Sequence, residues 1–243
     1  MKQLLFSVLA SCCLSSAMAN PNGEMPEKLN CIKINPTSLL FRTMNVQYER
    51  VLHPHVTVAL QARYTIPKIY NGSFLAPDNT SYTELKLSSL CITPEFRYYV
   101  NEAMRGFYVA PYLRYRTINL DFNFPIPYNG AISKGLFDGG LSSYGGGLMI
   151  GVHKPLGNNF SMDFFIVGLQ YMHNRAKITG DYNLNLSAAE QQDLLNSIND
   201  DIKEVKRFVK DLTTSVGPNS TKVSGNFNSL GFRGFGINFG YRF

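Results

Sequence analysis

The sequence predicts an all-β fold, an eight-stranded antiparallel transmembrane β-barrel with an amphipathic helix in its last extracellular loop. Three observations predict it. Apolar and polar residues alternate strictly over most of the chain, the alternating segments are even in number, and the last of them ends on an aromatic residue, Phe243. Composition agrees: charged residues make up only 16%, the aromatic residues are all Tyr and Phe, and Gly is plentiful, a mix suited to strands with one apolar face.

The chain opens on a basic Met1-Lys2, an apolar stretch from Leu4 to Leu14, and Ala17-Met18-Ala19, which puts small residues at the positions a signal peptidase reads. Residues 1–19 are therefore expected to be a cleaved secretory signal and 20–243 a single domain. A helical anchor needs about 20 apolar residues, and Ser15, Ser16 and Asn20-Pro21 interrupt this stretch. Leu9-Ala10-Ser11-Cys12 offers a second option, a lipoprotein box with Cys12 acylated.

Eight strands are expected at 30–41, 44–52, 55–66, 86–101, 106–121, 142–154, 160–176 and 229–243. Val56, Val58, Leu60, Ala62 and Tyr64 alternate with Thr57, Gln61 and Arg63, and Leu90, Ile92, Phe96, Tyr98 and Val100 alternate with Cys91, Thr93, Glu95, Arg97 and Tyr99. Phe107, Val109, Pro111, Leu113 and Tyr115 alternate with Tyr108, Ala110, Tyr112, Arg114 and Arg116. In the last strand Phe239, Tyr241 and Phe243 share a face, resembling the C-terminal signal by which outer-membrane assembly machinery recognises its clients; Asn238 sits where that signal prefers Gly. Short turns at His53-Pro54, Asn101–Gly106 and Lys154–Asn159 alternate with longer loops at 67–85, 122–141 and 177–228, as in barrels with short periplasmic turns and long outer loops.

Alternation alone leaves open which face is inside, so a soluble ligand-binding barrel is the competing architecture. The polar face carries Arg, Glu, Gly and Tyr with almost no Lys, unlike a solvated surface, and Tyr64, Tyr70, Tyr98, Tyr99 and Tyr241 near segment ends match interfacial girdles. With apolar faces toward lipid, Glu49, Arg63, Glu95, Arg97, Arg114, Arg116 and Asp163 project into the lumen, where eight strands leave room for side chains to pair and plug the interior.

The run Lys33 to Leu40, then Val46-Gln47-Tyr48-Glu49-Arg50, Thr93-Pro94-Glu95-Phe96-Arg97-Tyr98-Tyr99 and the closing Gly240-Tyr241-Arg242-Phe243 resembles small outer-membrane β-barrel proteins of unknown function from Bacteroidetes-type bacteria. The resemblance implies fold and location and carries no activity. The chain departs from it in the length of its final loop, where Ser187 and Glu190 form a capping box ahead of an apolar stripe. The stripe includes Leu194, Leu195, Ile198, Ile202, Val205, Phe208, Val209 and Leu212, predicting a helix over 187–212. It is expected to pack over the barrel mouth or to dock a protein partner, a second copy or the membrane surface.

Chemistry-bearing motifs are sparse. His53, His55, His153 and His173 fall in no metal-ligand spacing. Gly145-Gly146-Gly147 lies inside an alternating strand, where close packing or a bend is expected rather than a phosphate cradle. His173 with Asp181 is the one pair at an outer rim, with no nucleophile beside it. No catalytic, metal or cofactor site is assigned, and basic residues scattered along the chain give no reason to expect nucleic-acid binding despite a net charge of +6. The expected partners are outer-membrane lipid and the assembly machinery of a Gram-negative cell. The expected role is a structural or surface-interaction module, with a small transport channel as the alternative.

Cys31 and Cys91 share the inward parity of Lys33 and Glu95 respectively. The first strand rises from the short-turn side and the fourth descends toward it, so the thiols sit at different heights and are expected to stay unbridged, because a disulfide needs Cα atoms within about 7 Å.

Overall fold

The computed structural model describes residues 25–71, 84–128, 131–182, 184–201 and 209–243. The expected signal at 1–19, with Cys12, lies outside the described residues.

Alternation produces strands as expected. In chain order the elements are β1 (Asn30–Ile34), α1 (Pro36–Leu39), β2 (Thr43–His53), β3 (Val56–Asn71), β4 (Glu84–Tyr99), β5 (Gly106–Tyr128), β6 (Ala131–Leu156), β7 (Phe160–Asp181), α2 (Ala188–Asp201), β8 (Lys210–Val216), β9 (Ser220–Arg233) and β10 (Gly236–Arg242). Each strand from β1 to β6 pairs antiparallel with the next, and β10 pairs with both β7 and β1, closing a ring of eight strands. β9 continues the wall of β10: the first part of β7, Phe160–Phe165, faces β10, while Gly168–Asp181 faces β9. β8 folds back on the outer part of β9.

Where strands were expected to stop, most run on. The expected loops at 67–85 and 122–141 are narrowed by β3 reaching Asn71, β4 starting at Glu84, and β5 and β6 running to Tyr128 and from Ala131. The expected loop at 177–228 contains the end of β7, α2, β8 and much of β9. Side-chain alternation reports only whether a face is buried, but two neighbouring backbones satisfy each other's N–H and C=O groups whatever their side chains. Paired strands therefore continue beyond the alternating core.

Two expected elements are shorter. The strand expected over 30–41 ends at Ile34, because Pro36 lacks the N–H a ladder needs and Asn35 caps α1 by accepting from the Ser38 amide at 3.0 Å. The helix expected over 187–212 spans Ala188–Asp201. Its capping box forms: the Glu190 carboxylate accepts from the Ser187 amide at 2.8 Å and the Ser187 hydroxyl at 2.7 Å. Leu195 and Ile198 lie on α2 as expected, Ile202, Val205 and Phe208 lie outside the described residues, and Val209 precedes β8. From Lys210 the helical reading fails, since Lys210 and Thr213-Thr214-Ser215-Val216 pair with β9, Asp211-Leu212 forming an irregularity between them, and the β-branched residues suit a strand.

The ring is polar inside and apolar outside. Along β2, Thr43, Gln47 and Glu49 are buried while Met44, Val46 and Tyr48 are exposed, and along β4 Thr93, Glu95 and Arg97 are buried while Leu90, Ile92, Phe96 and Tyr98 are exposed. Inside, two tyrosines lie across glycines of the neighbouring strand, Tyr108 opposite Gly151 and Tyr112 opposite Gly147. A Cβ at Gly147 would stand 2.7 Å from the Tyr112 hydroxyl oxygen, and one at Gly151 would meet the Tyr108 ring, so the Gly145-Gly146-Gly147 segment serves close packing. At the short-turn end Met104, in a left-handed backbone conformation at φ +61°, is buried, and the Ala103 amide donates to the Pro54 carbonyl at 2.6 Å, tying two turns together.

Candidate functional site

The most structured feature of the interior is an ionic cluster, built because the two-residue period turns alternate side chains of each strand inward at successive levels. β1 supplies Lys33, β2 supplies Gln47 and Glu49, β3 supplies Thr57 and Gln61, and β4 supplies Glu95, Arg97 and Tyr99. Tyr108 comes from β5, His153 from β6, Asp163 from β7 and Arg233 from β9.

Arg97 sits at the centre. Its Nη1 donates to Asp163 Oδ2 at 2.7 Å and to Glu49 Oε2 at 3.1 Å, and its Nη2 and Nε donate to Glu95 Oε2 at 2.6 and 3.0 Å. The guanidinium also lies 4.6 Å from the Tyr108 ring centre. Lys33 Nζ bridges Glu49 Oε2 and Asp163 Oδ2, the latter at 2.6 Å. Arg233 joins from the far wall, with Nη1 to Glu95 Oε1 at 2.7 Å and Nη2 to Gln61 Oε1 at 2.6 Å. Neutral donors fill the remaining positions: the Tyr99 and Thr57 hydroxyls donate to Glu49 Oε1, each at 2.6 Å, and the Tyr108 hydroxyl donates to Asp163 Oδ1 at 2.8 Å.

Three carboxylates therefore face three cations, and each of the six carboxylate oxygens accepts at least one hydrogen bond. Such saturation is what allows full burial, because a buried charge that lacks its partner costs several kcal/mol, roughly 3 to 5. Glu49, His153 and Asp163 also offer ligand atoms within 4.8 Å of one another, the spacing of a metal site. Lys33 Nζ already stands among them, 3.5 Å from His153 Nδ1 and bonded to both carboxylates. An ammonium group holds the position that a cation would take. The arrangement clamps the walls of the ring to one another, since β1 to β7 and β9 each contribute a bonded side chain.

The structure brings together four of the seven residues expected in this network, Glu49, Glu95, Arg97 and Asp163. Arg63 is exposed and takes no part, and Arg114 and Arg116 are half-buried higher in the ring. Arg114 donates to Gln170 Oε1 at 2.9 Å and Thr93 Oγ1 at 3.3 Å, neutral acceptors rather than a carboxylate. Strand tilt sets the reason: parity fixes the face a residue takes, while its height depends on register around the ring. Lys33 was legible by its parity with Cys31. Arg233 was missed because Gly234-Phe235 interrupts the alternation between β9 and β10.

Tyr99, expected in an interfacial girdle, points inward and is fully buried, as its parity with Arg97 requires. Tyr64, Tyr98 and Tyr241 face outward. Phe239, Tyr241 and Phe243 line the outer face of β10, with the Tyr241 ring 5.7 Å from Phe160 and 6.4 Å from Phe243. His173 and Asp181 lie eight residues apart on one strand, about 26 Å at ~3.3 Å per residue, and do not meet; His173 Nδ1 is 2.8 Å from Asn228 Oδ1 instead. Cys31 and Cys91 are both free and buried, Cys31 beside Ser161 and Cys91 beside Thr93.

A family model described as Protein of unknown function (DUF3575) matches residues 5–193. The chain belongs to that family. Within DUF3575, the matched stretch takes in β1 to β7 and the start of α2, and so contributes every cluster residue except Arg233. No curated protein and no solved structure matches the chain.

Proposed function

We propose that this DUF3575 protein is an integral outer-membrane β-barrel of a Gram-negative cell, a non-enzymatic structural or surface-interaction module whose ionic cluster plugs its lumen. One observation carries the reading: the ring buries its charges and exposes its large apolar side chains, the inverse of a water-soluble globule. An apolar surface that encircles the ring is far larger than the patches soluble monomers expose. Lipid is the environment that suits it, and closure of the ring through β10 pairs the strand edges at the level of the ionic cluster.

Dimensions agree. On β5 the outward aromatics run from Phe107 to Tyr115, and on β7 from Phe160 to Tyr171. Those spans correspond to about 20 and 28 Å after projection for a ~40° tilt, bracketing the ~25 Å apolar band of such barrels. The strands β5 and β6, 23 and 26 residues long, exceed the 9–11 or so a bilayer needs. Their far ends extend beyond the band, where they and α2 form the surface available to a partner.

Membrane fractionation tests the reading. The protein should partition with outer-membrane fractions, begin at Asn20, and lose membrane yield when Phe243 is deleted. Recovery in a soluble periplasmic fraction would sink the membrane assignment, and stable single-channel conductance from refolded protein would replace the plugged module with a channel.

A further inference from the structure

Above the cluster the interior opens into a cavity of about 440 Å³ whose walls include Arg63, Arg114, Arg116 and, at the floor, Arg233. Among the described residues no Asp or Glu lines it. Arg233 is neutralised by Glu95 at 2.7 Å. The other three guanidinium groups have no carboxylate within ion-pair distance among the described residues, and Arg116 Nε is buried without a hydrogen-bond partner. Three like charges facing one cavity repel each other, and an unmet guanidinium N–H is unfavourable. A bound oxyanion answers both.

The cavity also has a side mouth. The β1–β10 ladder ends at Ile34–Phe239 and the β1–β2 ladder at Ile34–Val46. Beyond that level Thr43–Asn45 of β2 forms a ladder only with β3, its other edge being met by the Asn35 amide on the Asn45 carbonyl at 3.2 Å and the Ser38 hydroxyl on the Thr43 carbonyl at 2.7 Å, and β9 pairs with β7 and β8, so among the described residues no ladder joins β2 to β9. The cavity lining passes through this seam, from the arginines past Asn35 and Ser38 to the exposed rings of Phe41, Phe232 and Phe235.

We propose that this cavity is an anion site that takes a phosphate-type oxyanion, held by Arg63, Arg114 and Arg116, with the seam between β2 and β9 as its mouth. The charge favours phosphate over carboxylate, because three unneutralised guanidinium groups match a multiply charged tetrahedral anion whose oxygens accept several forked hydrogen bonds. The phosphate comes either free from solution or as a lipid headgroup whose chains rest on the apolar rim. The site rests on the interior geometry and stands apart from the outer-membrane assignment.

Titration calorimetry on the refolded full chain in maltoside micelles tests it, with inorganic phosphate as the probe. Saturable binding is expected, weakened at least tenfold by Arg63→Gln and by Arg116→Gln and unchanged by Arg105→Gln at the opposite end of the ring. Arg63 is exposed and outside the cluster, so its variant keeps the fold, which far-UV circular dichroism verifies. Doping the micelles with phosphatidic acid, against phosphatidylcholine as control, separates the sources. Saturable binding of phosphatidic acid that is lost in the same variants assigns the site to a lipid headgroup, and phosphate binding undisturbed by it assigns the site to free phosphate. No saturable binding of either probe, or undiminished binding in Arg63→Gln and Arg116→Gln, overturns the proposal.

Discussion

Replacing Arg97 by Leu removes the hub of the buried cluster. Its guanidinium contacts Glu49, Glu95 and Asp163 and stacks on Tyr108, with its side chain about 1% exposed. In the variant, Glu95 keeps Arg233, but Glu49 and Asp163 share only Lys33, so two cations are left facing three buried carboxylates. Loss of one partner of a buried pair costs roughly 3 to 5 kcal/mol, at least a hundredfold in the folding equilibrium. The reference is Arg105→Ala, which removes a half-exposed pair with Glu102 at 3.6 Å, a contact of a kind worth only about 0 to 1 kcal/mol. Urea unfolding of the refolded protein in micelles, followed by far-UV circular dichroism because the chain has no Trp, reads the difference. The Arg97→Leu midpoint should fall far below both wild type and Arg105→Ala. Equal midpoints for the two variants would show that Arg97 is solvated in the folded protein and would refute the buried-clamp reasoning.

Two further outcomes follow from interior packing. Alkylation, under denaturing, non-reducing conditions, of protein that begins at Asn20 and so lacks Cys12 and Cys13 should add two labels, one each at Cys31 and Cys91, by mass spectrometry; a Cys31–Cys91 crosslink would mean the strand order is wrong. Gly240→Val should sharply reduce the yield of folded protein on refolding gels, since a side chain there meets Cys31 Sγ and Ser161 Oγ, each 2.7 Å from a Cβ, while Gly234→Val, which meets open space, should refold like wild type.

How much was legible in the sequence differs with the kind of information each feature needs. Period-two alternation is local, so the segments, their outward apolar faces and the inward parity of Glu95 with Arg97 or Cys31 with Lys33 could be read directly. The Ser187–Glu190 capping box is equally local, and it formed where the sequence placed it. The end of that helix was not local: Leu212 continues the apolar stripe, yet the backbone from Lys210 finds a ladder partner in β9, and ladder pairing overrides helical periodicity.

The same division runs through the interior. The sequence by itself determined that the chain has two-faced strands, with charges on one face and large apolar residues on the other. Only the tertiary structure decided which charges meet, because height around a tilted ring depends on the register of every ladder between two residues. Arg63 and Arg97 share a face by parity, yet one ended beside a cavity and the other at the centre of the clamp. Lys33 and Arg233, at opposite ends of the chain, became joint neighbours of the Arg97 carboxylates because β10 closes the ring between β7 and β1, a contact that no local pattern encodes.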